Sequence, residues 1–181
     1  MKDWRSARRV ADIDWGIWQP TERATLLFVI ADGRVLLIDK KTGLGAGKVN
    51  GPGGRIVPGE SDEAAAVREV EEELLVTPTG VERRGQLDFQ FTDGYGLTAI
   101  VFTATGFRGV PTETREAHPR WCPLDGVPYD LMWADDRLWF PVMLAGDGFA
   151  GRFIFDGDAM LDWWLRRLPG SGSPAGRRDG L

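Results

Sequence analysis

The segment Gly54-Arg-Ile-Val-Pro-Gly-Glu60, followed after seven residues by Arg68-Glu-Val-Glu-Glu-Glu73, decides the fold class of this chain. It places a glycine-containing loop directly before a helix with carboxylates on one face, because residues at i, i+3 and i+4 are neighbours on a helix. These carboxylates are Glu69, Glu72 and Glu73. Their mutual repulsion, a few tenths of a kcal/mol per pair, favours a cation nearby. Oxygen ligands alone suit Mg²⁺ or Mn²⁺ better than zinc.

A run of glutamates also fits an ordinary solvated helix face, and the spacing of the whole segment decides between the two interpretations. Gly54, five residues, Glu60, seven residues and then Arg-Glu-Val-x-Glu-Glu resembles the Nudix box of the Nudix hydrolases. A chance match at so many fixed positions is rare. Leu75 stands where that box has its second glycine, a position that serves the left-handed end of the helix. We therefore expect a strain of about 1 kcal/mol at Leu75, or a helix that continues further.

Composition limits the class of protein. The chain has 181 residues and a formal net charge of −5, so we expect one domain. The negative charge argues against a nucleic-acid polymer as partner, because phosphate backbones are bound by clustered Lys and Arg. Cys122 is the only cysteine, which rules out an intrachain disulfide and favours a reducing compartment. With no apolar run of membrane-spanning length, we expect a cytoplasmic monomer or dimer without a membrane partner.

Hydrophobic runs and turn residues predict strands interrupted by helices, which indicates an α/β domain with a mixed β-sheet. The expected strands cover residues 25–30, 35–38, 85–91, 97–105 and 151–155. The expected helices run from the N-cap Ser61 to about Leu75, over residues 134–143, and over residues 159–168 as a closing amphipathic helix. A glycine-rich loop, residues 42–54, and a proline-rich passage, residues 111–128, lie between them.

Domain boundaries follow from changes in composition. Residues 1–21 are polar, carry three tryptophans and predict an extension that packs loosely on the domain. Residues 22–168 are expected to form a Nudix hydrolase domain. Residues 169–181, rich in Gly, Ser and Arg, are expected to be a disordered tail.

Two further segments resemble one subgroup of the family, the oxidised purine nucleoside triphosphatases that hydrolyse 8-oxo-dGTP. They are Lys40-Lys-Thr-Gly-Leu-Gly-Ala-Gly-Lys-Val-Asn50-Gly-Pro-Gly-Gly54 and Met132-Trp-Ala-Asp-Asp-Arg-Leu-Trp-Phe-Pro141. Residues 151–155 continue the resemblance, which covers roughly residues 24–168. It implies the Nudix fold, a mixed β-sheet sandwiched between α-helices, with Mg²⁺ or Mn²⁺ as the cofactor.

The resemblance implies a metal site on and around the acidic helix. The implied ligands are the Gly54 carbonyl, Glu69, Glu72, Glu73 and Glu116. Glu60 would support the loop or bind metal, and Arg68 would orient the helix carboxylates through charge-assisted hydrogen bonds. The proton acceptor would be Glu72 or Glu73, with Glu116 as an alternative. Glu116 also fits a solvated loop acid.

The same resemblance implies a pocket for a purine base. In chain order its residues are Thr25, Lys40, Leu44, Asn50, Phe89, Trp133, Asp135, Asp136 and Phe153. The Asn50 amide would read the purine edge and Trp133 would form a stacking wall. Two adjacent carboxylates in a partly buried pocket cannot both ionise cheaply, so one would keep its proton and donate. Without the family, Asp135 and Asp136 also fit the caps of a helix N-terminus.

These expectations combine into one functional hypothesis. The chain would hydrolyse oxidised purine nucleoside triphosphates, such as 8-oxo-dGTP or 2-hydroxy-dATP, to the monophosphate and pyrophosphate, and so sanitise the nucleotide pool. One alternative is a Nudix hydrolase of another nucleotide, such as ADP-ribose, a dinucleoside polyphosphate or an ordinary nucleoside triphosphate. Another is a catalytically silent module that senses a nucleotide.

Overall fold

The computed structural model describes residues 3–169, and its central feature is one β-sheet of eight strands. The strands are β1 (Glu22–Ala31), β2 (Arg34–Lys40), β3 (Val49–Asn50), β4 (Val76–Phe91), β5 (Gly96–Gly109), β6 (Ala117–Pro123), β7 (Gly148–Asp156) and β8 (Ala159–Leu168). The helices are α1 (Asp62–Leu74) and α2 (Asp136–Leu144), with short 3₁₀ helices at Val10–Asp12 and Tyr129–Leu131. Within residues 3–169, no helix combines the length and the apolar character needed to cross a membrane.

The pairing of the strands makes the sheet mixed. The strand order is β3-β2-β1-β5-β4-β7-β8, and β6 also pairs with β2. The hairpins β1–β2, β4–β5 and β7–β8 are antiparallel. In contrast, β1 runs parallel to β5 and β4 runs parallel to β7. The expected α/β class with a mixed sheet is therefore confirmed.

The two helices cover opposite faces of the sheet, because successive strand residues point to opposite sides. On β1, Leu27 and Val29 belong to the core under α1, whereas Phe28 belongs to the core under α2. The buried residues of α1 in the first core are Ala66, Val70 and Leu74. Those of α2 in the second core are Trp139, Phe140 and Met143. The sandwich of sheet and helices is therefore confirmed.

Helix α1 begins and ends close to the expected residues. The Ser61 side chain caps its first turn by accepting a hydrogen bond from the Ala64 amide at 3.1 Å. The helix ends at Leu74, and Leu75 follows with φ 59° and ψ 30°, in the left-handed region. The structure therefore supports the expectation of a left-handed Leu75 and not that of a longer helix. Leucine is disfavoured in this conformation, so Leu75 is strained.

The closing amphipathic helix predicted over residues 159–168 is wrong. These residues form β8, which pairs antiparallel with β7 across a turn at Gly157, where φ is 56°. Asp156-Gly157 is a hairpin turn signal of the kind that favours positive φ. Aromatic and branched residues such as Trp163 and Trp164 also favour strands. The apolar residues of a ten-residue segment fit either period, and the turn chemistry decided the outcome.

Two other elements are more extended than expected. Strand β4 begins at Val76, directly after α1, and β6 lies within the proline-rich passage. Proline cannot donate to a ladder and is tolerated where a strand lacks a second neighbour. Pro78 lies in the part of β4 that pairs only with β5, and Pro119 lies in β6, which pairs only with β2. Both prolines therefore occupy edges that the sequence pattern does not reveal.

The N-terminal extension packs closely against the domain, so the expectation of loose packing is wrong. Ala7, Ile13 and Trp18 are buried together with Ile154 of β7. The Trp18 indole donates to Gln90 Oε1 at 2.8 Å in a buried hydrogen bond. Apolar contacts and a satisfied indole fix the segment in place. The expected disordered tail lies outside the described residues, apart from its first residue, Pro169.

Candidate active site

The carboxylates of α1 and of its preceding loop converge on one guanidinium. Arg68 donates from Nε and Nη2 to the two oxygens of Glu60, at 2.8 and 3.0 Å. Its Nη1 donates to Glu69 Oε1 at 2.7 Å and to Glu72 Oε2 at 3.2 Å. The bond from Arg68 lowers the pKa of Glu60, and the Glu60 and Glu69 carboxylates raise the pKa of Arg68. The arrangement fits the orienting role predicted for Arg68 and the supporting role predicted for Glu60.

Glu73 differs from the other acids of the helix because it is buried, with 2% of its surface exposed. Its Oε1 accepts from Lys40 Nζ at 3.2 Å, and its Oε2 accepts from the Gly53 amide at 2.9 Å. Burial raises the pKa of Glu73, and the Lys40 ammonium opposes that rise. Glu73 is therefore a carboxylate held rigidly by two donors at the inner end of the acidic face.

The loop before α1 approaches the Glu69 carboxylate so closely that a side chain at Gly54 would displace it. A Cβ atom on Gly54 would lie 2.3 Å from Glu69 Oε2, well inside contact distance. The Gly54 carbonyl accepts from the Thr25 amide at 2.8 Å, which ties the loop to β1. The second lone pair of that carbonyl stays available to a ligand. Gly54 therefore brings a backbone oxygen beside the Glu69 carboxylate.

The donor set around α1 fits a hard divalent cation, because it consists of carboxylate and carbonyl oxygens. Glu116 lines the same cavity as Glu69 and Glu73. Thr114 Oγ1 ties the Glu116 loop to α1 by donating to the Glu73 carbonyl at 2.9 Å. Within residues 3–169, no group of three or more His, Cys, Asp or Glu side chains is gathered closely enough to hold a metal ion as the side chains stand. The ligand set therefore remains a prediction.

A cavity of about 390 Å³ extends from these acids to the α2 end of the sheet. The predicted site residues that line it are Thr25, Lys40, Leu44, Asn50, Gly54, Glu69, Glu73, Phe89, Glu116, Trp133, Asp135 and Asp136. Four predicted residues lie outside its wall. Three of them, Glu60, Arg68 and Glu72, form ion pairs with one another on the outer face of α1. Phe153 is fully buried and stacks on Phe89 with ring centroids 5.3 Å apart, so it supports the wall from behind.

The pair Asp135 and Asp136 is buried, and no ion pair to either acid is formed within residues 3–169. Asp135 Oδ2 accepts from the Trp139 indole at 2.8 Å, and Asp136 Oδ2 accepts from the Trp133 amide at 3.0 Å. Burial raises the pKa of Asp135 to about 6. Burial and the neighbouring Asp135 raise the pKa of Asp136 well above its ordinary value. Acids with pKa values raised in this way retain protons more readily than free carboxyls, so one of the two can donate a hydrogen bond while the other accepts.

The alternative that these two acids cap a helix is not supported by their contacts. Asp135 stands at the N-cap position of α2, but its side chain makes no capping hydrogen bond. Its Oδ1 is buried and has no hydrogen-bond partner among the described residues, and the same holds for the Thr25 hydroxyl. Unpaired buried polar atoms are uncommon and call for an explanation. Both residues line the cavity, so a polar ligand in the cavity would supply the missing partners.

Trp133, the predicted stacking wall, is held by a lysine that the sequence did not single out. The Lys48 ammonium lies 4.8 Å from the Trp133 ring centroid. The same ammonium pairs with Asp158 in the β7–β8 turn at 2.8 Å. A Cβ atom on Gly45 would lie 2.9 Å from the indole nitrogen, so the glycine loop also packs against the ring. Loop, indole and hairpin therefore form one contact, which we call the Lys48 latch.

A second group that the sequence did not reveal lies along another part of the cavity wall. Tyr95 donates its hydroxyl to Glu22 Oε1 at 3.1 Å, and Glu22 Oε2 pairs with Arg55 Nε at 2.6 Å. Burial, followed by the Glu22 charge, raises the pKa of Tyr95 to about 12. Glu22 lies opposite Leu97 in the parallel β1–β5 register, and no sequence motif announces that register. Phe155 also lines the cavity, two residues beyond the predicted Phe153.

Comparison with known proteins places this geometry in a family. A sequence model described as the NUDIX domain matches residues 20–143. The oxidized purine nucleoside triphosphate hydrolase of Danio rerio is 44% identical over 138 residues, which cover 76% of this chain and 88% of that protein. Its Mus musculus counterpart is 39% identical over 146 residues, which cover 80% of this chain and 94% of that protein.

A solved structure agrees with these relatives. The MutT protein from Bacillus halodurans superimposes with a TM-score of 0.72 at 28% identity, covering 80% of this chain and 97% of that chain. The match of the NUDIX domain includes the whole segment from Gly54 to Val76, with Leu75 in place of glycine. The acidic helix, the sheet and the relatives lead to the same result: this chain belongs to the Nudix family of hydrolases.

Proposed function

We propose that this protein hydrolyses oxidised purine nucleoside triphosphates, with 8-oxo-dGTP as the leading candidate, to the nucleoside monophosphate and pyrophosphate. Its domain would span residues 22–168. Nudix proteins bind small nucleotides and generally use a divalent metal, and the curated relatives are named for triphosphate hydrolysis. The net charge of −5 and the single cysteine support a cytoplasmic protein that binds neither a nucleic-acid polymer nor a membrane.

The observation that carries the proposal is the buried pair Asp135 and Asp136 in the same cavity as the carboxylates of α1. A purine edge presents donors and acceptors side by side, and one protonated carboxyl beside one ionised carboxyl can meet both. The Asn50 side chain lines the cavity as well and adds an amide with both functions. The unpaired Asp135 Oδ1 and Thr25 hydroxyl support recognition of a polar base in this part of the cavity.

The other part of the cavity suits the triphosphate chain. Mg²⁺, or Mn²⁺ in its place, would be held by the Gly54 carbonyl, Glu69, Glu72, Glu73 and Glu116. When bound, the metal supplies charge for the phosphate oxygens and lowers the pKa of water. Lys40 lines the cavity, and its ammonium, which pairs with Glu73 at 3.2 Å, suits a phosphate oxygen. Arg68 keeps the carboxylates of Glu69 and Glu72 oriented towards one another.

The chemical step is attack of water on a phosphorus of the chain. A new P–O bond forms, the bridging P–O bond breaks, and the leaving oxygen departs with pyrophosphate. The attacking water must lose a proton. The proposed acceptor is a carboxylate of α1, the helix that carries most of the predicted metal ligands. The Glu72 side chain is exposed and, within residues 3–169, binds only Arg68, whereas both oxygens of Glu73 are engaged, so Glu72 is the better placed of the two to accept a proton.

A panel of nucleotides tests the proposal. The protein would be incubated with Mg²⁺ or Mn²⁺ and with 8-oxo-dGTP, 2-hydroxy-dATP, dGTP or ADP-ribose, and pyrophosphate and phosphate would be measured separately. We expect pyrophosphate release, fastest with an oxidised purine triphosphate. Turnover that is greatest with ADP-ribose, or equal for dGTP and 8-oxo-dGTP, would contradict the substrate assignment. Nucleotide binding without any turnover would instead indicate a sensing module.

A further inference from the structure

Strand β8 ends the sheet with an open edge. Within residues 3–169 it pairs only with β7, and no other described backbone–backbone hydrogen bond reaches it. An unpaired strand presents a row of N–H and C=O groups that can bind another strand. The ten residues of β8 include no proline that would block such pairing. The edge is therefore competent to add a strand.

The side chains of β8 are unusually apolar for a solvent-facing strand. The large hydrophobic side chains of β8 that are at least a third exposed are Leu161, Trp163, Trp164 and Leu168. They make up four of the ten such side chains within residues 3–169, although β8 has only ten residues. Trp163 and Trp164 point to opposite faces of the sheet, with exposures of 48% and 39%. Exposed apolar side chains concentrated on one edge strand in this way are typical of an interaction site.

We propose that β8 is a dimerisation surface, on which β8 of a second copy of this chain pairs antiparallel about a two-fold axis at Trp164. Such an interface is isologous, so the same strand must complement itself. Residues at equal distances on either side of the axis then face each other on one side of the sheet. The two eight-stranded sheets would become one continuous sheet. The proposal concerns assembly and does not depend on the proposed function.

Charge complementarity selects this register. With the axis at Trp164, Asp162 of one copy faces Arg166 of the other, and the symmetry creates this ion pair twice. Shifting the axis to residue 163 would place Asp162 opposite Trp164, and shifting it to 165 would place Asp162 opposite Leu168. Only the central register pairs acid with base. It also brings Trp163 against Leu165 and sets the two Trp164 side chains beside each other, as cross-strand pairs.

The charged groups are available for this pairing. Asp162 Oδ2 accepts from the Val10 amide at 2.7 Å, which leaves its second oxygen for a partner. Arg166 is exposed and makes no ion pair within the described residues, whereas its neighbour Arg167 binds Asp147. Arg152 supports Trp164 from the same chain, with its guanidinium 5.1 Å from the Trp164 ring centroid. The strand is therefore held in shape by its own chain and lacks a partner for Arg166.

Two charge-reversed variants of the full chain test the register. Arg166→Glu places two acids opposite each other, and Asp162→Lys places two bases opposite each other. We expect the wild-type chain to double its mass with concentration over the micromolar range in sedimentation or light-scattering measurements. Each variant alone should remain monomeric, and an equimolar mixture should recover the dimer, since each strand then meets opposite charges. Circular dichroism would show that both variants are folded.

Single cysteines provide an independent reading of the axis. With Cys122 replaced by Ser, Trp164→Cys places two thiols across the axis, where oxidation should link the copies. Leu161→Cys is the matched control, because its two copies lie six residues apart along the strands, about 20 Å, and should not link. A wild-type chain that stays monomeric would overturn the proposal. So would a dimer that survives Arg166→Glu, or one that appears only after residues 170–181 are removed, since that tail would then be the occupant of the edge.

Discussion

The cavity joins two groups of carboxylates that differ in how the fold treats their charge. Around α1, Arg68 binds Glu60, Glu69 and Glu72, and Lys40 binds Glu73. At the other end, Asp135 and Asp136 lie buried with no basic side chain within hydrogen-bonding distance among the described residues. Acids that are matched by bases suit ligation of a cation, whereas buried acids without bases retain protons and become hydrogen-bond donors. The carboxyl group therefore suits cation binding at one end of the cavity and hydrogen bonding at the other.

The largest expected effect is a loss of turnover when a carboxylate of α1 loses its charge. Glu72→Gln keeps the size of the side chain and an oxygen for Arg68, but removes the charge of the proposed proton acceptor and metal ligand. We expect turnover to fall by about 10²- to 10⁴-fold for every substrate, with little change in thermal stability. Steady-state kinetics of pyrophosphate release would measure this loss. Glu71→Gln is a matched control on the same helix, since Glu71 binds Thr77 and is not a predicted site residue. Near-normal turnover of Glu72→Gln would contradict the site assignment.

Removing the carboxyl group of Asp136, at the other end of the cavity, should change the selectivity between nucleotide substrates. Asp136→Asn keeps the acceptor for the Trp133 amide but fixes the group as a neutral amide that cannot exchange a proton. We expect the ratio of kcat/KM for 8-oxo-dGTP and 2-hydroxy-dATP to change by about tenfold or more, the value of one hydrogen bond. An equal loss for both substrates would show that Asp136 does not read the base.

The same substitution should also stabilise the protein at neutral and alkaline pH. Burial raises the folded-state pKa of Asp136, so the folded chain binds more protons than the unfolded chain and stability falls as pH rises above about 4. Asparagine has no such loss. We expect Asp136→Asn to melt at a higher temperature than wild type at pH 8 and at the same temperature near pH 3. A constant difference across this range would argue against a proton-bearing pair.

The Lys48 latch should contribute a smaller effect on substrate binding. Lys48→Met keeps the aliphatic stem but removes both the contact of the ammonium with Trp133 and its pair with Asp158. Each contact is partly exposed and is worth at most about 1 kcal/mol. We expect KM to rise about threefold with kcat unchanged, and the difference from wild type to shrink in high salt. Asp158→Asn should reproduce only the salt-dependent part. An altered kcat would show that the latch acts on chemistry.

The smallest expected effect on activity concerns Leu75, at the end of the acidic helix. Leu75→Gly relieves the left-handed strain at φ 59° and restores the residue that the Nudix box has there. Leu75 is 59% exposed, so little packing is lost with its side chain. We expect a gain of about 1 kcal/mol in the free energy of unfolding, and no change in turnover. Denaturant titration would measure the gain, and Leu75→Ala, which keeps the strain, is the control.

Sequence spacing predicted the parts of the site that are set by local periodicity. The carboxylates of α1 share a face because a helix repeats every 3.6 residues, and Asp135 and Asp136 were placed by one short segment. The group of Glu22, Arg55 and Tyr95 was not predicted, because it depends on the parallel register between β1 and β5. Such long-range pairings leave no local signal.

The two incorrect expectations both concern residues outside 20–143, the range that matches the NUDIX domain. The residues of β8 fit a helical or a strand period equally well over ten positions, so only the Asp156-Gly157 turn distinguished them. The N-terminal segment was expected to pack loosely because it is polar. Its few apolar side chains, Ala7, Ile13 and Trp18, are nevertheless spaced to meet Ile154, a partner that only the folded chain supplies.

The contact between the N-terminal segment and β8 has a consequence for the order of folding. Val10 and Asp162 bind each other although 152 residues separate them along the chain. During synthesis the segment around Val10 leaves the ribosome long before β8 exists, so its apolar face must wait for its partner. Closing such a long loop is slow relative to local structure formation. Docking of the N-terminal segment onto β7 and β8 should therefore be a late event, and burial of Trp18 against Ile154 of β7 would contribute a late fluorescence phase in refolding.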